Sequence, residues 1–191
     1  MKSTLIALSL ALCAGAVAAA PVTYAVDPNH THPSFEADHM GGLSVWRGMF
    51  RSSSGQVTYD AVAHTGEVDI TVDTGSIDFG HDKLSEHVKS PDMLDVARFP
   101  TATYKGKFSK FNGDAPAEVA GELTLHGVTK PLKLTINSFM CKPHPVLKRE
   151  VCGADASARL NRADFGINLG ETMGFNMDVK LAIQIEAIRA E

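Results

Sequence analysis

The chain has 191 residues, a formal net charge of −4, 44% hydrophobic residues and 21% charged residues. This is the composition of one ordinary soluble domain or at most two small ones, with too much apolar content for a disordered chain and too dispersed a distribution for several membrane spans. No basic excess is present to grip a phosphate backbone, so no nucleic-acid partner is expected.

The N-terminus carries Lys2, an apolar stretch from Leu5 to Val17 and the small-residue run Ala18-Ala19-Ala20 before Pro21. A positive charge, a short apolar core and small residues form a secretory signal peptide. At about thirteen residues the apolar stretch falls short of the roughly 20 that a membrane-spanning helix needs. Cleavage is expected after Ala18 or Ala19, leaving 20–191 as one exported domain in the periplasm. Cys13 leaves with residues 1–19, and Cys141 and Cys152 remain. Two cysteines in an oxidising compartment pair, and their spacing lacks the Cys-x-x-Cys pattern of a redox centre. The expected disulfide is structural, and it pins the polar, proline-broken stretch 142–150 as a surface excursion between two strands.

Along the body, apolar and polar residues alternate with period two, as in half-buried strands. Val68, Ile70 and Val72 alternate with Asp69, Thr71 and Asp73, and Leu123 and Leu125 with Glu122, Thr124 and His126. Leu132, Leu134 and Ile136 follow the same rule, as do Val179, Leu181, Ile183 and Ile185. Weaker strands are expected at 24–26, 34–39, 49–51, 55–60, 102–106, 154–159 and 174–178, with turns at Gly41-Gly42, 112–114 and 127–131. Between His81 and Phe99 the spacing becomes helical. Ser90-Pro91-Asp92 reads as a helix start with Met93, Leu94 and Val96 on its apolar face, ended by Phe99-Pro100. Many strands and one helical insertion can close as a barrel or stack as a sandwich, and the pattern does not choose.

Five stretches in order resemble the YceI family of exported lipocalin-like proteins. They are Tyr24 to Thr31 with Phe35 and His39, Arg47 to Phe50 leading to Gly55, and Gly75 to Asp78 with 82–92 and Phe99-Pro100-Thr101, followed by Gly121 to Pro131 and Asn161 to Ile167. The resemblance implies an all-β fold, an elongated antiparallel lipocalin-like β-barrel of about eight strands with a short helical insertion. It also implies a lumen that takes a long polyisoprenoid, of polyprenyl or isoprenoid-quinone type, with a fatty acid or fatty amide as the alternative ligand. Met93-Leu94 replaces two aromatics usual in the family, and Pro33 interrupts the first strand; both changes alter lumen shape.

From periodicity alone, apolar strand faces fill a packed core. The resemblance favours a ligand-holding lumen, with Phe35, Phe50, Ile70, Val72, Leu94, Leu123, Leu125, Phe165, Ile167 and Phe175 as candidate ligand-binding residues. Such a site needs aliphatic and aromatic walls and no directional chemistry along the tail. His30, His32 and His39 are the residues from which a metal-dependent enzyme would be built, yet no Cys or carboxylate stands at a ligand spacing beside them. The resemblance assigns His30, His39 and His87 structural or mouth-lining positions. Arg162 and Asp164 flank a turn and read as structural polar contacts. No nucleophile–base spacing appears, so neither an enzyme nor a cofactor beyond the bound lipid is expected. Homodimerisation and transient membrane contact, without a membrane span, are compatible with this reading.

Overall fold

The computed structural model describes residues 20–191; the expected export segment 1–19, with Cys13 and the cleavage sites, lies outside them. The strands follow in chain order as β1 (Val22–Val26), β2 (His32–His39), β3 (Ser44–Phe50), β4 (Ser53–Asp60), β5 (Thr65–Asp73), β6 (Ile77–Asp78), β7 (Thr101–Asn112), β8 (Ala115–Leu125), β9 (Val128–Pro143), β10 (Glu150–Asn161) and β11 (Asp178–Arg189). One helix, α1 (Asp82–Lys89), lies between β6 and β7.

The sheet is antiparallel and closes on itself. The ring runs β1-β4-β5-β7-β8-β9-β10-β11, and β1 pairs back onto β11. β2 continues β1 along β11, while β3 and β6 continue β4 and β5. The elements therefore form eight staves of an up-and-down barrel, the first three each broken once. With 16 residues, β9 runs roughly 50 Å along its own length, so the barrel is elongated. Closure removes the open edges that would otherwise invite aggregation.

Two threonines, each 1% exposed, hold two of the breaks. The Thr31 hydroxyl donates to the Glu186 carbonyl and accepts from the Glu186 N–H, both at 3.1 Å, replacing a backbone pair where β1 gives way to β2. The Thr74 hydroxyl donates to the Phe99 carbonyl at 2.7 Å and ties the β5–β6 break to the chain entering β7. Beyond the third break, within β4, Gly55 has φ +139°, and a Cβ there would lie 2.1 Å from the Asp69 carbonyl oxygen. Only glycine fits. Gly55→Ala is expected to lower stability by about 2–3 kcal/mol, read from urea unfolding.

Four local expectations change. Helix α1 ends where the sequence suggested a start: His81 caps it through Nδ1 to the Leu84 N–H, and Ser90 is its C-terminal cap. The residue before a proline disfavours helical angles, so Ser90-Pro91 terminates the helix. Residues 91–98 form turns carrying Met93 and Leu94. The expected strand at 174–178 begins only at Asp178, because Gly170 and Gly174 adopt left-handed angles around a short 3₁₀ turn. The turn expected over 127–131 shrinks to His126-Gly127, and β9 runs through Pro131. Likewise β2 runs through Pro33, which faces Ile183 before pairing with β3 begins at Ser34, so its missing N–H breaks no ladder on that side.

Candidate functional site

The inward faces of the staves enclose a cavity of about 500 Å³, within the range of small-ligand pockets. Its walls come from the alternating positions: Val68, Ile70 and Val72 on β5, Leu132, Leu134 and Ile136 on β9, and Val179, Leu181, Ile183 and Ile185 on β11. On β10 the inward positions include Ala154 and Ala156, which are small and leave space where larger side chains would meet across the barrel. Tyr104 stands deep in the wall, donating to the Leu132 carbonyl at 2.9 Å; burial pushes its phenol up to about 12. It stays neutral.

Of the ten residues singled out from the sequence, Phe35, Phe50, Ile70, Val72, Leu94, Leu123, Leu125, Ile167 and Phe175 line this cavity. Phe165 does not. Strand alternation ends at Asn161, and Phe165, 3% exposed, lies in a 3₁₀ turn packed with Ile77, Val88, Leu94 and Ile167. Its carbonyl accepts from His126 Nδ1 at 3.0 Å, which fixes the turn. The structure adds lining residues that the sequence reading missed: Tyr24, Trp46, Tyr59, Tyr104, Ala154, Ala156 and Arg162. The two alanines carried a signal, since small residues at alternate strand positions leave room on the inward face. The others come from staves too far apart in sequence for any local pattern to unite them.

The two ends of the lumen differ. At the end distant from α1, Tyr59 packs on Phe108 and Phe139 with ring centroids 6.1 and 5.3 Å apart, an aromatic floor. Tyr24 donates to Glu150 Oε1 at 2.5 Å there, and burial followed by this bond raises its phenol well above the ordinary range. Cys141 and Cys152 face each other across β9 and β10 and form the expected disulfide at the base of the 144–149 excursion. At the opposite end, Leu84 and Val88 of α1 cover the lumen, packing on Ile77 and Ile167. The lumen reaches the surface beside them, where Leu169 and Met173 are exposed and also line it.

Polar groups collect at this mouth. His39 meets Trp46 and Phe175 edge-on at 5.9 and 5.8 Å, and His87 reaches the lumen from α1. Arg162 continues the inward face of β10 and donates to the Ile167 and Leu169 carbonyls, each at 2.8 Å. Burial works against its charge, while the Glu171 and Asp38 carboxylates favour it. Among the described residues no carboxylate lies within ion-pair distance of Arg162.

Asp38 joins the two loops of the mouth by accepting from the N–H groups of Asn176, Gly42 and Gly41 at 2.9, 2.6 and 3.0 Å. These bonds, that of Asn176 foremost, hold its carboxyl below the usual carboxylate range. A depressed acid adds stability above its unfolded-state value and loses it as pH falls through the folded value. The amide resonances of Gly41, Gly42 and Asn176 are therefore expected to move together as pH drops below about 4, and Asp38→Asn to abolish that transition.

The three histidines considered for a metal do not converge. His30 donates from Nδ1 to Asp27 Oδ2 at 2.7 Å in the β1–β2 turn, His32 is on the opposite face of β2 from the lumen, and His39 faces the mouth. Among the described residues no three His, Cys, Asp or Glu side chains gather at metal-binding geometry.

A family model described as a YceI-like domain matches residues 24–187. A UPF0312 protein of Vibrio vulnificus is 34% identical over 194 residues, covering 99% of this chain and 100% of the relative. Among solved structures, Burkholderia cenocepacia BcnA aligns with TM-score 0.66 and 22% identity, over 85% of this chain and 99% of that one. A polyisoprenoid-binding domain from Saccharophagus degradans, implicated in plant cell wall breakdown, aligns with TM-score 0.61 and 14% identity, over 88% of this chain and 99% of that one. At these identities the two structures establish the fold.

Proposed function

The chain belongs to the YceI-like family, and from that premise we propose that it is a periplasmic carrier of a long-chain polyisoprenoid. The observation that carries the reading is the lumen: an apolar cavity of about 500 Å³, floored by aromatics and open at one end. A hydrocarbon chain exposed to water costs roughly 25 cal/mol per Å², and an apolar tunnel removes that cost without directional contacts. Methionines such as Met93 adapt to a branched chain. The polar head remains at the mouth, within reach of His39, His87 and Arg162. The ligand class of the Saccharophagus domain, which shares the fold, supports this choice.

Binding, not catalysis, is the proposed activity. Export rests on the N-terminal sequence, whose charged start, apolar core and small-residue run match a signal peptide. The chain's single tryptophan, Trp46, lines the lumen and reports on occupancy. Titration with a polyprenyl quinone is expected to quench its fluorescence saturably. Equal quenching of free tryptophan, or a linear response without saturation, would overturn the proposal.

A further inference from the structure

Met40, Leu43 and Val45 on the β2–β3 hairpin, and Leu169 and Met173 on the β10–β11 loop, are exposed apolar side chains around the lumen mouth. Leu43 is 72% exposed and Met173 65%. Leu169 and Met173 line the lumen as well, so at these two residues apolar surface continues from the cavity wall to the outside. We propose that this rim docks on the surface of a lipid bilayer, opening the lumen directly against the membrane. The proposal rests on the lipid-carrier reading and adds where the lipid is exchanged.

Three observations select a bilayer as the occupant. First, the rim is nearly uncharged: across 40–45 and 169–175 the single ionisable side chain is Glu171. Arg162 at the mouth is turned onto the Ile167 and Leu169 carbonyls, and Arg47 and Lys180 both pair with Glu36 at 2.9 and 3.4 Å. An anionic or cationic partner finds nothing complementary there, whereas a zwitterionic lipid interface does. Second, six backbone donors of the rim are satisfied internally. Gly41 and Gly42 donate to Asp38, Leu43 to His39, Met173 and Phe175 to Gly170, and Gly174 to Glu171, so burial in an apolar layer strands none of them. Third, the exposed apolar residues at the other end, Val62, Val146 and Leu147, do not touch the lumen and share their loops with His64, Lys148 and Arg149. Exposure alone does not distinguish the ends; continuity with the lumen does. Trp46 at the mouth adds the amphipathic ring favoured at membrane interfaces.

The test is co-sedimentation of the purified protein with phosphatidylcholine vesicles at about 0.1 and 0.5 M salt, a range over which electrostatic binding collapses. Wild-type protein is expected to bind equally at both. Leu43→Glu and Met40→Glu, neither of which lines the lumen, are expected to lower partitioning about tenfold, and Val146→Glu to leave it unchanged. No wild-type binding, an equal loss in Val146→Glu, or binding that vanishes with salt would overturn the proposal. So would a concentration-dependent dimer that Leu43→Glu dissolves while vesicles are ignored, since the rim would then be a contact between copies. Trp46 quenching by the prenyl probe separates the two ideas: Leu43→Glu retains it if only docking is lost. Wild-type vesicle binding without any uptake of the probe refutes the carrier and leaves the docking result standing.

Discussion

Ala156→Phe is expected to lower affinity for a long isoprenoid about 100-fold. Ala156 lies on β10 between Ile136 of β9 and Ile183 of β11, all three facing the lumen. A phenyl ring built there has nowhere to go but the cavity. A 100-fold loss is about 2.7 kcal/mol, equivalent to roughly 110 Å² of ligand surface returned to water. A buried aromatic ring occupies at least that much area. The fold tolerates the change because the ring fills space and does not displace a neighbour, so the unfolding midpoint is expected to stay within a few degrees. Phenylalanine keeps Trp46 as the sole reporter, and Ala154→Phe repeats the experiment at the next inward position should Ala156→Phe fold poorly. Undiminished binding in a folded variant would mean that the ligand does not enter this part of the lumen.

Opening the Cys141–Cys152 disulfide is expected to weaken the fold and spare the site. The bridge closes a loop with a sequence separation of 11, for which chain entropy in the unfolded state gives about 3 kcal/mol. For a domain of this size that lowers the unfolding midpoint by roughly 6–12 °C. The two cysteines face each other in register where β9 meets β10, with Cα atoms 4.0 Å apart, so native pairing persists without the bond. Cys152 touches the lumen only at its floor, beside Tyr24, far from the mouth. A Cys141→Ala/Cys152→Ala variant is therefore expected to bind the prenyl probe within about threefold of the parent while melting earlier. Loss of all binding on reduction would place the 144–149 excursion in the site.

The strands with clean alternation were legible from sequence because a barrel buries one face of each and wets the other. β5, β9 and β11 show this fully: Ile70, Leu134 and Ile183 face in, while Asp69 and Glu67 pair outward with Lys105 and Lys107. The breaks were not legible, since a buried threonine that imitates a backbone pair looks like any other threonine. Ser90-Pro91-Asp92 misled because the same residues suit a helix start and a helix end. What decides is the apolar face of Leu84 and Val88, which packs upstream. Phe165 misled because it follows the last alternating residue, where strand parity no longer predicts direction. The mouth was the least legible feature: His39, Trp46, His87 and Arg162 come from four separate elements, and only closure of the barrel assembles them. Hydropathy also does not separate a filled core from a lumen. That distinction lies in volume, in alanines such as Ala154 and Ala156, and in the aromatic floor.

The central claim is that the lumen holds an isoprenoid lipid, and the most direct measurement is mass spectrometry of the organic extract of protein purified from its natural host without detergent. The extract is expected to contain a long-chain isoprenoid in near-stoichiometric amount, and the extract of Ala156→Phe to lack it. An extract containing no lipid, or the same lipid recovered undiminished from the blocked variant, would contradict that claim.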